Sequence, residues 1–269
     1  MAYADDLALA LSIADEVDAL TIAGSLGDFA VELKPDDTPV TAIDRAAEQL
    51  VRDRLTAQRP GDTIVGEEFG VTEGTDGAPA GGRRWVVDPI DGTKNFVRGV
   101  PAWATLIGLL DGDDAVVGVV SAPALGRRWY ASQGDGAWLV TRLSGFPMAP
   151  QRLSVSSVTT LADASLSYSS LSGWEEHGSL DPFLDLTRTA WRTRAFGDFW
   201  SYMMVAEGQV DVACEPELAL HDMAALVPIV TEAGGRFTSL AGAPGPFGGT
   251  ALATNGALHD AVLAALTTN

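Results

Sequence analysis

A proline that follows directly on an apolar run and a carboxylate constrains this chain more than any other feature. Residues 85–96 read Trp-Val-Val-Asp-Pro-Ile-Asp-Gly-Thr-Lys-Asn-Phe. Trp85, Val86 and Val87 have the pattern of a buried strand, and it is expected to stop at Asp88 because Pro89 brings no N–H to a ladder. Gly92 permits a tight backbone just ahead of a helix start at Thr93. Asp88 and Asp91 are thereby held together at a strand end, beside the free N–H groups of a helical first turn. Hard cations take carboxylate oxygens, and phosphate takes such N–H groups. Ordinary turn chemistry explains the same string, since Asp is a common turn residue. A metal-and-phosphate loop and a plain turn are the two readings of this stretch alone.

Other acidic positions also lie at element ends, where function is usually carried. Thr63-Ile64-Val65-Gly66 is a short apolar run that ends in Glu67-Glu68. Asp222 opens an apolar helical pattern through Met223, Leu226, Val227, Ile229 and Val230, which runs to Gly234-Gly235. Asp44 stands three residues after Thr41, a capping-box arrangement ahead of Ile43, Ala47, Leu50 and Val51. Helix capping alone accounts for Asp44 and Asp222 as well as metal binding does.

Charge narrows the possible partners. The 269 residues hold 36 acidic and 17 basic side chains, a formal net charge of -19. Such a surface repels nucleic acid and anionic membranes, so neither is an expected partner. It repels a phosphorylated substrate too, and a phosphate site on it needs local positive charge of the kind bound cations supply. The single cysteine, Cys214, reads as a small core residue and allows no internal disulfide. His177, His221 and His259 are scattered and make no zinc spacing. The acidic N-terminal segment lacks the basic head and apolar centre of a signal peptide, and no charge-free run reaches transmembrane length. The expectation is a soluble, cytoplasmic protein.

Two helices are predicted at 5–24 and 42–58, followed by strands at 63–66, 85–88, 103–110, 115–121, 128–133 and 136–140. Short turns between these strands suggest an antiparallel sheet. The Gly/Pro-rich stretch 74–82 reads as a surface loop, and 144–150 as a boundary. Beyond it, strands near 164–168, 193–196, 210–214, 236–240 and 251–254 alternate with helices near 180–190, 198–208, 222–233 and 257–267. The expected division is an N-terminal α+β half, 1–145, and a C-terminal α/β half, 146–269.

Gly66-Glu67-Glu68, the 85–96 string, His221-Asp222-Met223-Ala224-Ala225 and Thr231-Glu232-Ala233-Gly234-Gly235 occur here in an order and spacing that resemble the inositol-monophosphatase superfamily of magnesium-dependent phosphatases. The resemblance covers nearly the whole chain. Within the superfamily, Asn95 to Trp103, Val119 to Leu125, Leu171 to Trp174 and Arg194 to Phe199 are most similar to the bacterial histidinol-phosphate phosphatase branch of histidine biosynthesis. What this implies is an α/β fold, a layered α-β-α-β-α sandwich with its metal site between the halves, and a homodimer. It implies two or three Mg2+ ions per site. Glu67, Asp88 and the Ile90 carbonyl would hold the first, and Asp88, Asp91 and Asp222 the second. A third would sit beside Glu67 and Asp44. Gly92 and Thr93 N–H groups would hold phosphate, and Glu67 with the Thr93 hydroxyl would orient and deprotonate the attacking water.

The implied substrate is a small phosphate monoester, L-histidinol phosphate. Its ammonium and imidazole groups suit carboxylates, which makes Asp91, Asp198 and Glu215 candidates for the alcohol half, with Arg194 as a positioning cation or a surface ion pair. An N-cap is the plain alternative for Asp198. Lys94 is given no role, because a first-turn lysine usually points to solvent. Trp174, in a Ser/Gly-rich stretch, is a candidate cover for the imidazole. One departure stands out: His221 occupies a position where the family usually has Trp. The competing functions are a broad inositol-1-monophosphatase, sharing the chemistry but not the leaving group, and a non-catalytic scaffold on the same fold.

Overall fold

Period-two burial along the central strands decides how the layers stack. The computed structural model describes residues 2–27, 29–34, 39–75, 82–143 and 146–267. Helix α1 (Ala4–Ser25) leads through a small hairpin, β1 (Val31–Leu33) and β2 (Pro39–Thr41), into α2 (Ala42–Gln58). The first large sheet then follows: β3 (Thr63–Gly66), β4 (Gly70–Thr72), β5 (Arg83–Asp91), a short helix α3 (Thr93–Val97), β6 (Ala104–Asp111), β7 (Asp114–Ala122), β8 (Arg127–Ser132), β9 (Ala137–Leu143), β10 (Phe146–Pro147) and β11 (Gln151–Arg152). Its order is β10-β9-β8-β7-β6-β5-β3-β4, with β11 also on β9. Strands β5 to β9 are antiparallel, as expected, but β3 runs parallel to β5.

The second sheet is built from β12 (Ser165–Ser167), helices α4 (Leu171–Glu176) and α5 (Leu180–Thr189), β13 (Arg192–Arg194), α6 (Asp198–Ala206), β14 (Val212–Glu215), α7 (Leu220–Met223), α8 (Leu226–Glu232), β15 (Arg236–Thr238), β16 (Ala251–Thr254) and α9 (His259–Thr267). Its order is β13-β12-β14-β16-β15, parallel on the β13 side and antiparallel on the β15 side.

Alternate residues of the first sheet go to opposite faces. Trp85, Val87, Ile107, Leu109, Val117 and Val119 pack with α1 and α2. Leu106, Val120, Trp129 and Leu139 pack on the other face with Phe199 and Met203 of α6 and with Ile229 and Val230 of α8. That same cluster includes Ala213, Phe237 and Ala253 of the second sheet. Leu166, Val212, Cys214 and Leu252 face the opposite way, onto Trp174, Phe183, Leu186 and Val262. The result is the expected α-β-α-β-α sandwich, with a central helical layer shared by both sheets. Strands buried on both faces explain why the apolar run at 85–87 does not alternate with polar residues.

Three expectations need correcting. Strand β5 does not stop at Asp88. Asp88 lies opposite Leu106 and Asp91 opposite Ala104, so three steps on β5 match two on β6 and the ladder resumes past a bulge. Pro89 sits inside that bulge, where a missing N–H costs no ladder bond. Side chains three apart on a regular strand point to opposite faces, and the extra residue turns Asp88 and Asp91 to the same one. The expected helix 222–233 is also two helices. Asp222 does not begin the first of them but lies within its opening turn, and its carboxylate accepts the Ala219 N–H at 2.7 Å. Finally, Trp174 belongs to helix α4 and is buried, stacked on Phe183 with centroids 4.1 Å apart, so it fills the outer core instead of covering a substrate. The predicted loop 74–82 lies mostly outside the described residues, as do residues 144 and 145 of the 144–150 segment.

The helix break falls where Pro228 brings no N–H to the Ala224 carbonyl, and the turn so formed seats on the neighbouring sheet. Gly108 and Gly118 face each other in register on β6 and β7. A Cβ on Gly118 would lie 2.1 Å from the Ala225 carbonyl oxygen, and one on Gly108 would lie 2.8 Å from the Ala224 carbonyl carbon. The backbone between α7 and α8 therefore rests directly on the sheet. Gly118→Ala is expected to cost about 1–3 kcal/mol by overpacking, seen as a fall in melting temperature. The same variant should weaken divalent-cation binding, because Asp222 rides on the displaced turn; calorimetry with and without cation measures both effects.

Candidate metal centre

The site opens between the two sheets as a cleft of about 460 Å³, lined by Glu67, Asp88, Ile90, Asp91, Gly92, Thr93, His221 and Asp222, with Lys34, Lys94 and Asp198 at its margins. Each acidic group arrives by a separate device. Asp88 and Asp91 come from the bulge of β5. Glu67 follows β3, in a turn held from below by Glu48 of α2. Glu48 is fully buried, accepts the N–H groups of Glu68 and Phe69 at 2.6 and 3.1 Å, and is paired with Arg52 at 2.7 Å. Asp222 is fixed by its bond to Ala219 and by the seat of α7–α8 on the glycine pair.

Among the described residues, two sets of side chains come close enough to share a cation. Asp88, Asp91 and Asp222 form one, Glu67, Asp88 and His221 the other, with ligand atoms in each set within 4.8 Å of one another. Asp88 is common to both. Burial is the main cause of a large upward push on the Asp88 and Asp91 carboxyls. The charges of Glu67, Asp91 and Asp222 add to it at Asp88, and those of Asp198 and Asp222 at Asp91. Asp222 is raised as well, again chiefly by burial. Close carboxylates taken from water can ionise together only if positive charge is brought among them. Oxygen-rich donors, convergence and mutual repulsion together fit divalent cations.

Lys34 supplies part of that charge, its Nζ lying 2.6 Å from both Glu67 Oε1 and Glu68 Oε1. Nothing in the sequence marked it, because it reaches the cleft from the segment before β2, 33 residues from Glu67. Asp44 is wholly buried and performs the plain role as well as approaching the site. One oxygen accepts the Thr41 N–H and hydroxyl at 2.9 and 2.6 Å, and the other lies 3.5 Å from the Thr93 hydroxyl. It lines neither metal set. The Thr93 hydroxyl donates to the Ile90 carbonyl at 2.9 Å. Gly92 takes a left-handed φ of 83°, which turns the chain from β5 into α3 and leaves first-turn N–H groups without helical acceptors.

On the far side of Asp91 a second cavity of about 320 Å³ is lined by Asp91, Lys94, Asp198, Tyr202, Glu215 and Glu217, among others. Asp198 is not a helix cap. Its side chain accepts the Asn95 amide at 2.9 Å, while Asp91 of the other sheet accepts the Phe199 N–H at 2.7 Å at the start of α6. Among the described residues Asp198 is the one non-glycine with positive φ, 48°, a costly conformation held by these bonds and by its own N–H to Ser169 at 3.0 Å. Burial and the charge of Asp222 raise its carboxyl to about 6. Glu215 is buried with Oε1 unpartnered, and burial, then the charges of Asp198 and Asp222, lift it to about 8. The Tyr202 hydroxyl, also buried and unpartnered, was missed by sequence reasoning because an aromatic on an amphipathic helix reads as core. Lys94 lines both cavities, contrary to expectation. Arg194 is not brought to either: it is exposed and donates to the Thr193 carbonyl at 2.7 Å.

An α-β-α-β-α sandwich with clustered carboxylates at a β-bulge defines a class, and comparison with known proteins agrees. The chain belongs to the inositol monophosphatase family, which it matches over residues 8–269. It is 59% identical to a histidinol-phosphatase of Streptomyces coelicolor, covering 97% of this chain and 96% of that one. Identity to the histidinol-phosphatase of Mycobacterium tuberculosis is 56%, covering 97% and 98%. Among solved structures, an inositol monophosphatase from Zymomonas mobilis superposes over 100% of both chains with a TM-score of 0.83 at 30% identity.

A linkage test follows from Glu215. Its folded-state value near 8 stands above the ordinary 4.5, so between those limits the folded protein keeps a proton that the unfolded chain has released. Stability is then lost as pH rises through this window. In chelator, the melting temperature of the wild type should fall relative to Glu215→Gln between pH 5 and about pH 8, read by differential scanning fluorimetry. A constant difference would remove Glu215 from the buried charge balance.

Proposed function

We propose that this protein is a divalent-cation-dependent phosphomonoesterase that hydrolyses L-histidinol phosphate, with Mg2+ as the working ion in a cytoplasmic homodimer. One observation carries it most: a metal-type carboxylate cluster opens directly onto a second cavity whose side chains are acidic. Phosphate and a cationic alcohol thus meet opposite requirements a few ångströms apart. High identity to two histidinol-phosphatases supports the choice of alcohol. A single buried thiol agrees with a reducing compartment, and no helix among the described residues is long and apolar enough to cross a membrane.

Phosphate monoesters resist water so strongly that positioning and charge must lower the barrier greatly. Divalent cations held by Glu67, Asp88, Asp91, Asp222 and the Ile90 carbonyl would supply the charge that draws phosphate oxygens in and eases loss of the alkoxide. The chain's own groups do the rest. N–H groups of Gly92 and Thr93 hold phosphate oxygens. Glu67, beside Asp88 at the mouth of the cleft, orients a water and accepts its proton, while the Thr93 hydroxyl, anchored on Ile90 and close to Asp44, fixes the line of approach. The water oxygen bonds to phosphorus as the ester P–O bond breaks, and the proton is passed on to the departing oxygen. Asp198 and Glu215 receive the ammonium and imidazole groups, which also favour the charged form of Glu215. Lys94 lies between the two cavities and balances phosphate.

Phosphate release from a panel of small monoesters tests the reading. Histidinol phosphate should exceed inositol 1-phosphate by at least about 100-fold in kcat/KM, the discrimination expected when buried polar groups go unpaired with the wrong substrate. Equal rates would favour the broad inositol phosphatase reading. Asp198→Ala should raise KM for histidinol phosphate by roughly 10- to 100-fold, the loss of one charged hydrogen bond, with a smaller effect on kcat. Glu67→Gln should lower kcat by about 10²- to 10⁴-fold at saturating Mg2+. Size-exclusion chromatography with light scattering checks the dimer.

A further inference from the structure

Two of the three histidines are accounted for locally. His259 is buried with both ring nitrogens engaged, by Thr238 at 2.9 Å and Thr254 at 3.0 Å. His177 is exposed and bonds the Gly173 carbonyl at 2.9 Å. His221 differs. It lines the main cleft, its Nε2 stands 3.6 Å from Asp222 Oδ1, beyond a good hydrogen bond, and no hydrogen bond of its ring is found among the described residues. A ring nitrogen of His221 instead groups with oxygens of Glu67 and Asp88 inside a 4.8 Å span. Glu67 Oε1 is engaged by Lys34 at 2.6 Å.

The backbone that presents His221 is held firmly. It lies in the first turn of α7, where Asp222 clamps the Ala219 N–H, and the turn is pressed onto Gly108 and Gly118. An imidazole beside two carboxylates is a mixed nitrogen–oxygen donor set, and such sets favour borderline ions such as Zn2+ over Mg2+, which prefers oxygen alone. We propose that His221 supplies a nitrogen ligand at the cation position bounded by Glu67 and Asp88, so that this position favours Zn2+ over Mg2+, an inference that rests on the divalent-cation reading above. The position shared by Asp88, Asp91 and Asp222 has only oxygen donors and keeps its preference for hard ions. The two positions of one site therefore differ in chemical character, and the difference comes from a single side chain.

The experiment reads the ligand directly. The purified full-length protein is stripped with chelator and loaded with Mn2+ alone, and electron spin-echo modulation is recorded for wild type, His221→Gln and His177→Gln. Nitrogen modulation in wild type and His177→Gln, lost in His221→Gln, is the expected result. Isothermal titration should show Zn2+ affinity falling at least about tenfold in His221→Gln while Mg2+ affinity changes less than about threefold. Absence of nitrogen modulation in the wild type, its persistence in His221→Gln, or an equal loss of Zn2+ and Mg2+ affinity would overturn the assignment. If Mn2+ binds through His221 but no phosphate is released from any monoester, the ligand assignment stands and the phosphatase reading fails. If the wild type binds no divalent cation, both fall.

Discussion

Repulsion among buried carboxylates is the constraint on which the rest of this structure turns. Glu67, Asp88, Asp91, Asp198, Glu215 and Asp222 face a common pair of cavities in a protein already carrying a net charge of -19. Folding brings these groups together against their electrostatic preference, and burial raises most of them. The scaffold must therefore be stiff where it holds them. Asp88 and Asp91 sit on a strand buried on both faces, Glu67 follows a turn pinned by Glu48 and Arg52, and Asp222 is clamped to a backbone N–H. The cluster is a standing demand for positive charge, which the proposed function meets with cations and a cationic substrate in two adjoining places.

That division gives selectivity a simple electrostatic basis. The phosphate end offers N–H groups, Lys34 and Lys94, with room for cations. The second cavity, the proposed alcohol end, offers Asp198, Glu215 and Glu217, with Lys94 as the one cation among its described lining residues. On the proposed reading, a neutral polyol would leave Asp198 and Glu215 unpaired, whereas an alcohol bearing an ammonium and an imidazole would satisfy them. Asp91 stands on the wall between, lining both cavities and accepting the first N–H of α6 from the opposite sheet. A shift of α6 would be felt at both ends.

Much of this was legible in the chain. The strand signals, the capping box at Thr41 and Asp44, and the ordered acidic motifs located both sheets and the four main carboxylates, because each depends on local spacing. What escaped depends on contacts between distant segments. Pro89 argued for the end of a strand, yet the ladder resumes beyond it because a bulge accommodates a residue without an N–H. The helix after Asp222 looked continuous from its apolar period, yet Pro228 brings no N–H to the Ala224 carbonyl, and the interrupted turn seats on two glycines over a hundred residues earlier. Lys34 and Tyr202 carried no motif, and Lys94, though inside one, read as solvent-facing; all three gain meaning only from the groups they face. Arg194 looked like a partner for acidic neighbours and instead is exposed and lines neither cavity.

The facing glycines of β6 and β7 have a wider meaning for how the site keeps its dimensions. With no side chain between them and the α7–α8 turn, main chain touches main chain, and the gap across the interface is set by atomic radii that no rotamer change can alter. Asp222 is thus gauged against the bulged strand by incompressible matter. Substitutions elsewhere in the hydrophobic layers can soften or loosen the molecule while leaving the spacing between ligands from its two halves unchanged.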